Sequence, residues 1–455
     1  MGNKSELQWH TLLGRCCQFL LMIFSIKILT SAITPYEYGA YGITMASIAI
    51  FSYILIGPLG LSINRYIHQW SSEGLLKKIL IKFAWYSLFV AALTAAIIGF
   101  GGDGSLLNYL AIFAYMYSYT IAYTLIPNLN ILGKSFEFHT LLNLNIFMGI
   151  FFGYFLIQIF SEKYEYWLIG ISLGNLVSSF AALKVYIKNI FNEKVVDKNI
   201  NYKKYISFSG YMLINSIFTW LYLMGYRYIA GDELGFGDLG IYLGCAAITA
   251  GIISGYEQVV TGIYLPIFYK SIDKNNDAWL MYAKKIISSC IPVCLFVMLS
   301  SELISRYLLP ADYHKYFEFI QLCAVAETLR VVLSTFSYKF QGENKTYLMI
   351  IPNIALALVC NLIIFYKIGE YGAGVIPFSM ILSSTFILIF YWFRVGPYKA
   401  EILKIFIKFN LICAIVLLPL LFTIERLAIP GVYKDISTFL LVSIATGSIF
   451  LYALR

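Results

Sequence analysis

Apolar runs of about twenty residues follow one another along almost the whole of this 455-residue chain, and such runs have few ways to fold. A helix rises about 1.5 Å per residue, so about 20 apolar residues cross a hydrocarbon core of about 30 Å. Within that core each backbone N–H and C=O must be satisfied inside the segment, which leaves a continuous apolar run as a helix. Spans are predicted over 11–32, 38–66, 79–100, 105–127, 140–160 and 166–188. A second set follows over 205–230, 238–266, 281–305, 316–338, 346–367 and 371–394, and a final pair over 401–422 and 436–454. The predicted fold class is an all-α integral membrane protein of about fourteen transmembrane helices. Only 13% of the residues are charged, against about a quarter in soluble domains, too few to cover a water-facing surface.

The basic residues test that count. With the amino terminus placed in the cytoplasm, the connections on that side hold Lys77, Lys78, Lys82, Lys134, the group from Lys184 to Lys204, and Lys270 to Lys285. Lys339, Lys345, Arg394, Lys399, Lys404 and Lys408 join them, and with Lys4, Arg15 and Arg455 the side collects 23 of the 33 basic residues. The opposite side holds six, together with Asp103, Glu162, Glu165, Asp232 and Glu233. A missed span would invert the pattern downstream. It does not invert, so both termini are expected in the cytoplasm of a bacterial inner membrane by the positive-inside rule. The net charge of +9 then belongs to topology and anionic lipid rather than to nucleic acid.

Each half opens on the same signature. Pro35-Tyr36-Glu37-Tyr38-Gly39-Ala40-Tyr41 follows the first span, and Phe236-Gly237-Asp238-Leu239-Gly240-Ile241-Tyr242 follows the seventh. An acid, a glycine two residues on and a tyrosine two further on repeat at an offset of 201, and the same offset carries span three (79–100) onto 280–301, nearly all of it within span nine. The acid is expected to cap its helix, the glycine to admit a close neighbour, and the tyrosine to sit among headgroups. Six spans per half bring the second half in from the same side, so the halves are predicted to be parallel repeats, a transporter arrangement.

The phrase Leu29-Thr30-Ser31-Ala32-Ile33-Thr34-Pro35-Tyr36-Glu37-Tyr38-Gly39-Ala40-Tyr41 resembles the first-loop signature of the Wzx-type polysaccharide flippases. These belong to the multidrug/oligosaccharidyl-lipid/polysaccharide (MOP) exporter superfamily. The resemblance implies two pseudo-symmetric six-helix lobes around a central cavity, with two additional helices. The corresponding domains are a lobe over 1–188, a cytoplasmic linker over 189–204, a second lobe over 205–394 and the extra pair over 395–455. It further implies alternating-access transfer of an undecaprenyl-pyrophosphate-linked oligosaccharide, an O-antigen or other surface-polysaccharide repeat unit, to the outer leaflet. The implied partners are that lipid-linked substrate, membrane lipids and other polysaccharide-assembly membrane proteins, with no nucleic acid and no cofactor beyond an open proton or sodium coupling.

Ionisable groups inside spans are costly unless they face protein, water or a partner. Lys27, Arg65, Arg227 and Arg330 lie within spans, and Arg15 lies near the start of the first. These five are the candidate substrate-binding residues, as cations that suit a pyrophosphate. Lys27 and Arg227 sit 200 residues apart, nearly equivalent in the repeat; headgroup anchoring competes for them, for Arg65 and for Arg15. Glu257 and Glu327 are the candidate ion-coupling residues. Glu327 precedes Arg330 by three residues and can pair with it on one helical face, whereas Glu257 has no basic neighbour at helical spacing. No residue is assigned to catalysis or to a metal: eight cysteines fall in apolar stretches without CxxC spacing, and the four histidines are scattered.

Three functions compete. A drug exporter of the same superfamily would favour an acidic cavity, while the spans here hold four bases to two acids. A polysaccharide polymerase or glycosyltransferase would show acidic motifs or a large outer loop, and the outer connections are short. The flippase is the favoured expectation, and a transporter rather than an enzyme.

Overall fold

The computed structural model describes residues 4–101, 105–191, 213–271, 277–342, 346–394, 398–426 and 431–454, and among them every regular element is helical. The chain begins with α1 (Lys4–Ala32), then α2 (Pro35–Phe51) and α3 (Gly57–Ser72), which a π-helical turn over Ser52–Ile56 joins into one span. α4 (Leu76–Gly101), α5 (Leu106–Ile131), α6 (Ser135–Ile159) and α7 (Tyr164–Asn189) follow. After the linker, most of which lies outside the described residues, come α8 (213–220), a second π turn over Leu221–Gly225, and α9 (Tyr226–Ser271). The remaining helices are α10 (Ala278–Leu299), α11 (Ser301–Leu308), α12 (Phe317–Gly342), α13 (Ile350–Tyr371), α14 (Val375–Arg394), α15 (Lys399–Arg426) and α16 (Gly431–Leu454).

Ten described stretches are long and apolar enough to cross a membrane. Two of them hold two passes each. Leu213–Leu265 breaks at Gly235 (φ 77°, ψ 167°), and Tyr347–Arg394 breaks at Gly372 (φ 67°, ψ −160°), backbone conformations that glycine reaches without a Cβ penalty. The chain is a multi-pass membrane protein, and α15 and α16, of 28 and 24 residues, are long enough to bring these twelve passes to the expected fourteen.

One predicted span is corrected. The stretch 281–305 ends at Leu299, and Ser301–Leu308 forms a separate short helix. Leu303 and Ile304 are buried there, while Glu302 and Arg306 pair at 2.8 Å on the exposed side. That amphipathic pattern suits an interface better than a hydrocarbon core.

By internal contacts the chain divides into two compact units, Met1–Gly240 and Ile241–Arg455. In the first, α6 and α7 approach through two glycine pairs. A Cβ on Gly170 would fall on the backbone of Gly153, and one on Gly174 on the backbone of Gly149, so both helices present a small-xxx-small face. Polar groups finish the seam: Asn145 Nδ2 donates to Asn175 Oδ1 and to Ser178 Oγ, both at 2.9 Å. In the second unit α10 is the hub, contacting α12, α15 and α16. Phe296 meets Phe439 at 5.8 Å and Tyr256 meets Phe450 at 5.9 Å, which attaches the last helix to α10 and to the end of α9. Six cysteines are buried as expected, but Cys16 and Cys17 are exposed.

Candidate functional site

The two signatures found in the sequence meet each other. A Cβ on Gly39 would collide with the Phe236 carbonyl, and a Cβ on Gly240 would collide with the Pro35 carbonyl. Pro35 corresponds to Phe236 and Gly39 to Gly240 at the offset of 201, so the two contacts are reciprocal in the numbering of the repeat. The glycines therefore do what the sequence leads one to expect of them. Glu37, which lies in the first turn of α2, and the two tyrosines differ from expectation in what they contact. The cap of α2 is Thr34, whose Oγ1 accepts from Glu37 N at 3.3 Å, and Glu37 instead reaches across to accept from Tyr164 N at 3.2 Å, capping α7. Tyr41 packs against Tyr38 and Tyr164, and Tyr242 is only 1% exposed beside Phe319. They are packing residues, because a tyrosine two residues past the glycine already lies inside the bundle.

From this crossing inward, the segment 220–236 is fastened along α2. Trp220 Nε1 donates to Ala46 O at 2.8 Å, Arg227 Nη1 donates to Gly42 O at 2.9 Å, and the Tyr228 hydroxyl lies 2.7 Å from Ser47 Oγ. Arg227 differs from Trp220 in carrying a charge. Its Nε is buried without a partner, and no described carboxylate pairs with it. A neutral donor like Trp220 would serve the fastening equally well, so the charge needs another explanation. Arg227 sits two residues past the π turn at Leu221–Gly225, the kind of insertion that recurs at functional positions.

The other candidate cations are scattered within the first unit. Lys27 and Arg65 are exposed, and the Arg65 guanidinium lies 5.6 Å from the Tyr66 ring centroid. Arg15 is half-buried, donates to Gln18 Oε1 at 2.9 Å and lies 5.5 Å from the Phe138 centroid. In the second unit the structure joins three residues that the sequence presented as a pair and a single acid. Arg330 Nε donates to Glu327 Oε2 at 2.7 Å, and Arg330 Nη2 donates to Glu257 Oε2 at 2.9 Å. Ser334 Oγ adds a bond to Glu257 Oε1 at 3.3 Å. All three charged side chains are at most 24% exposed. The expectation of an isolated Glu257 is thus corrected: its base comes from α12, 73 residues away, beyond the reach of helical spacing.

Two cavities in the first unit were not foreseen. One, of about 610 Å³, lies among the starts of α2, α5 and α7, the end of α4 and the end of the segment before Gly235, and carries Glu37, Glu165, Asp232 and Lys163. The other, of about 420 Å³, is bordered by both π turns and by one face of α5. The only sequence trace of the π turns is a glycine closing each, Gly57 and Gly225, inside otherwise apolar runs.

No family model matches the chain, and no curated protein matches it. Solved structures do. A lipid II flippase, MurJ, in an inward closed conformation is similar over 99% of this chain and 100% of its own, with a TM-score of 0.67 and 14% identity. An inward-facing multidrug resistance transporter of the MATE family in the MOP superfamily is similar over 84% of this chain and 96% of its own, with a TM-score of 0.58 and 14% identity. The MATE multidrug transporter DinF-BH is similar over 87% and 96%, with a TM-score of 0.59 and 11% identity. At these identities the likeness is one of fold: the chain shares the helical architecture of these transporters.

Proposed function

We propose that this protein is a flippase for an anionic lipid-linked glycan, moving an undecaprenyl-pyrophosphate oligosaccharide from the cytoplasmic to the outer leaflet by alternating access. The observation that carries the proposal is Arg227, a guanidinium within a predicted span, with one backbone carbonyl, an unpartnered Nε and no carboxylate partner among the described residues. A forked donor with spare N–H groups suits a phosphate oxygen. The fold supports the same reading, since the neighbour that covers 99% of this chain is a lipid II flippase. Within the first unit, Arg15 and Arg65 stand toward the predicted cytoplasmic ends of α1 and α3, Lys27 toward the outer end of α1, and Arg227 toward the outer end of the pass that breaks at Gly235. We assign them as successive contacts for the pyrophosphate. The lobe boundaries at 188, 205 and 394 and the Wzx-type substrate belong to the same proposal.

The triad Glu257–Arg330–Glu327 is assigned to ion coupling. Two carboxylates around one guanidinium leave one negative charge in excess, which a proton or a sodium ion would balance. Transport driven by an imposed gradient should lose its response to that gradient in Glu257→Gln while downhill flipping persists.

Coupled export of organic cations is the second reading, and the acidic residues of the 610 Å³ cavity favour it. Binding separates the two. Purified protein in nanodiscs, titrated with undecaprenyl pyrophosphate and with the cationic dye rhodamine 6G, should bind the polyprenyl lipid and lose at least tenfold affinity in Arg227→Gln. Binding of the dye alone would favour the exporter.

A further inference from the structure

The 420 Å³ cavity differs in its walls from the 610 Å³ one, which carries four charged residues. Tyr115, Tyr119 and Tyr123 line it at a spacing of four on α5, facing Tyr53, Asn64 and Ser216. Consecutive ring centroids lie 5.5 and 5.2 Å apart with planes inclined by 12° and 20°, so the three rings form one offset stack. The stack is graded. Tyr115 is 7% exposed, Tyr119 is intermediate and Tyr123 is 66% exposed, which leads from the cytoplasmic half of α5 toward its interior.

An interfacial belt does not account for this arrangement. Belt aromatics gather at one depth, whereas eight residues of helix carry this row through about 12 Å of depth. Rings stacked along a helix cover one another's faces and turn their edges and hydroxyls outward. The cavity thus presents a ladder of phenolic hydroxyls one helical turn apart, about the length of one pyranose ring in an extended glycan. Asn64, Thr124 and Ser216 add neutral hydrogen-bonding groups, and Met45, Ile48 and Leu61 add apolar surface. No carboxylate, lysine or arginine lines it among the described residues. A wall that is neutral, aromatic and rich in hydroxyl and amide groups fits neither a pyrophosphate, which needs cations, nor an acyl chain, which needs no hydrogen bonds. It fits a sugar, with polar edges and apolar C–H faces.

We propose that this cavity is the glycan subsite, in which successive sugar residues hydrogen-bond to Tyr123, Tyr119 and Tyr115. The proposal rests on the flippase reading and names which part of the substrate binds where. Both π turns border it, through Ser52, Tyr53 and Ile56 on one side and Met224 on the other. Because a π turn offsets the helix beyond it, the same turn that shapes the glycan wall at Met224 also sets the aim of Arg227.

The test compares two lipids on the full-length protein in nanodiscs: undecaprenyl pyrophosphate, and the same lipid carrying a trisaccharide of hexose and N-acetylhexosamine. Wild type should bind the trisaccharide lipid more tightly. Tyr119→Phe/Tyr123→Phe, which keeps both rings and the packing, should lose about tenfold of that affinity, as expected for two hydroxyl hydrogen bonds, and none for the bare lipid. Tyr119→Leu/Tyr123→Leu should abolish the difference between the two lipids. Equal binding of both lipids by wild type, or an unchanged preference in the Phe variant, would overturn the subsite and leave the flippase reading standing. Failure of wild type to bind either lipid would overturn both.

Discussion

Arg227 and Trp220 make the same kind of bond to α2, and only one of them brings a charge into the membrane. That comparison gives a clean substitution. Arg227→Gln keeps an amide to reach the Gly42 carbonyl, so the protein should insert at normal level while glycan transport falls at least tenfold; normal transport would show that the charge is dispensable. The triad makes a second prediction. Removing the shared base alone, as in Arg330→Met, strands two carboxylates and should cost about 3–5 kcal/mol. The triple variant Arg330→Met/Glu257→Gln/Glu327→Gln strands nothing and should unfold closer to wild type, measured by thermal unfolding in detergent. How much of this was legible follows from distance along the chain. Glu327 and Arg330 are three residues apart and declare themselves; Glu257 does not, because a helix shows its own face and not its neighbour's. The role of Glu37 is hidden for the same reason, since Thr34 occupies the cap and the carboxylate is committed to α7.

The helices were legible because hydrocarbon leaves apolar runs no alternative, and their ends fall within several residues of those expected, except the start expected at 205, which lies outside the described residues. The departures have local causes. α11 is polar on one side and separates from α10, and the π turns occur in apolar sequence where an extra residue per turn leaves hydropathy unchanged. The contact between α2 and the start of the segment beyond Gly235 is the element most exposed to test. A methyl group at Gly39 or Gly240 has only a backbone carbonyl to push against, and a carbonyl in a helix cannot swing aside. Gly39→Ala should therefore lower the unfolding temperature, while Gly60→Ala, where a Cβ meets nothing within 4 Å, should leave it unchanged or raise it. The same order of melting temperatures would fail to appear if the crossing were loose. The repeat at an offset of 201 predicted that glycines would mark a close contact, but a single sequence could not show that the two glycines mark the same one.

For the whole molecule, the fold class and the number of passes followed from apolar length and loop charge, while the division at Gly240 rests on packing that no periodicity reports. Orientation can be checked directly. In a variant whose only cysteine replaces Lys163, a membrane-impermeant maleimide added to intact cells should label the protein; with the cysteine at Lys78 or Lys134 it should not. The reverse pattern would invert every assignment of cytoplasmic and outer ends. Which glycan is carried lies beyond a hydropathy pattern, since it depends on the shape and polarity of cavities such as the tyrosine-lined one. Flipping of a lipid-linked oligosaccharide can be followed in proteoliposomes. Fluorescent undecaprenyl-pyrophosphate oligosaccharide is placed in both leaflets, and the fraction open to an external quencher is followed with time. Protein-dependent exchange that drops in Arg227→Gln is the result expected here. Exchange no faster than in protein-free vesicles, with transport of rhodamine 6G in the same preparation, would contradict it.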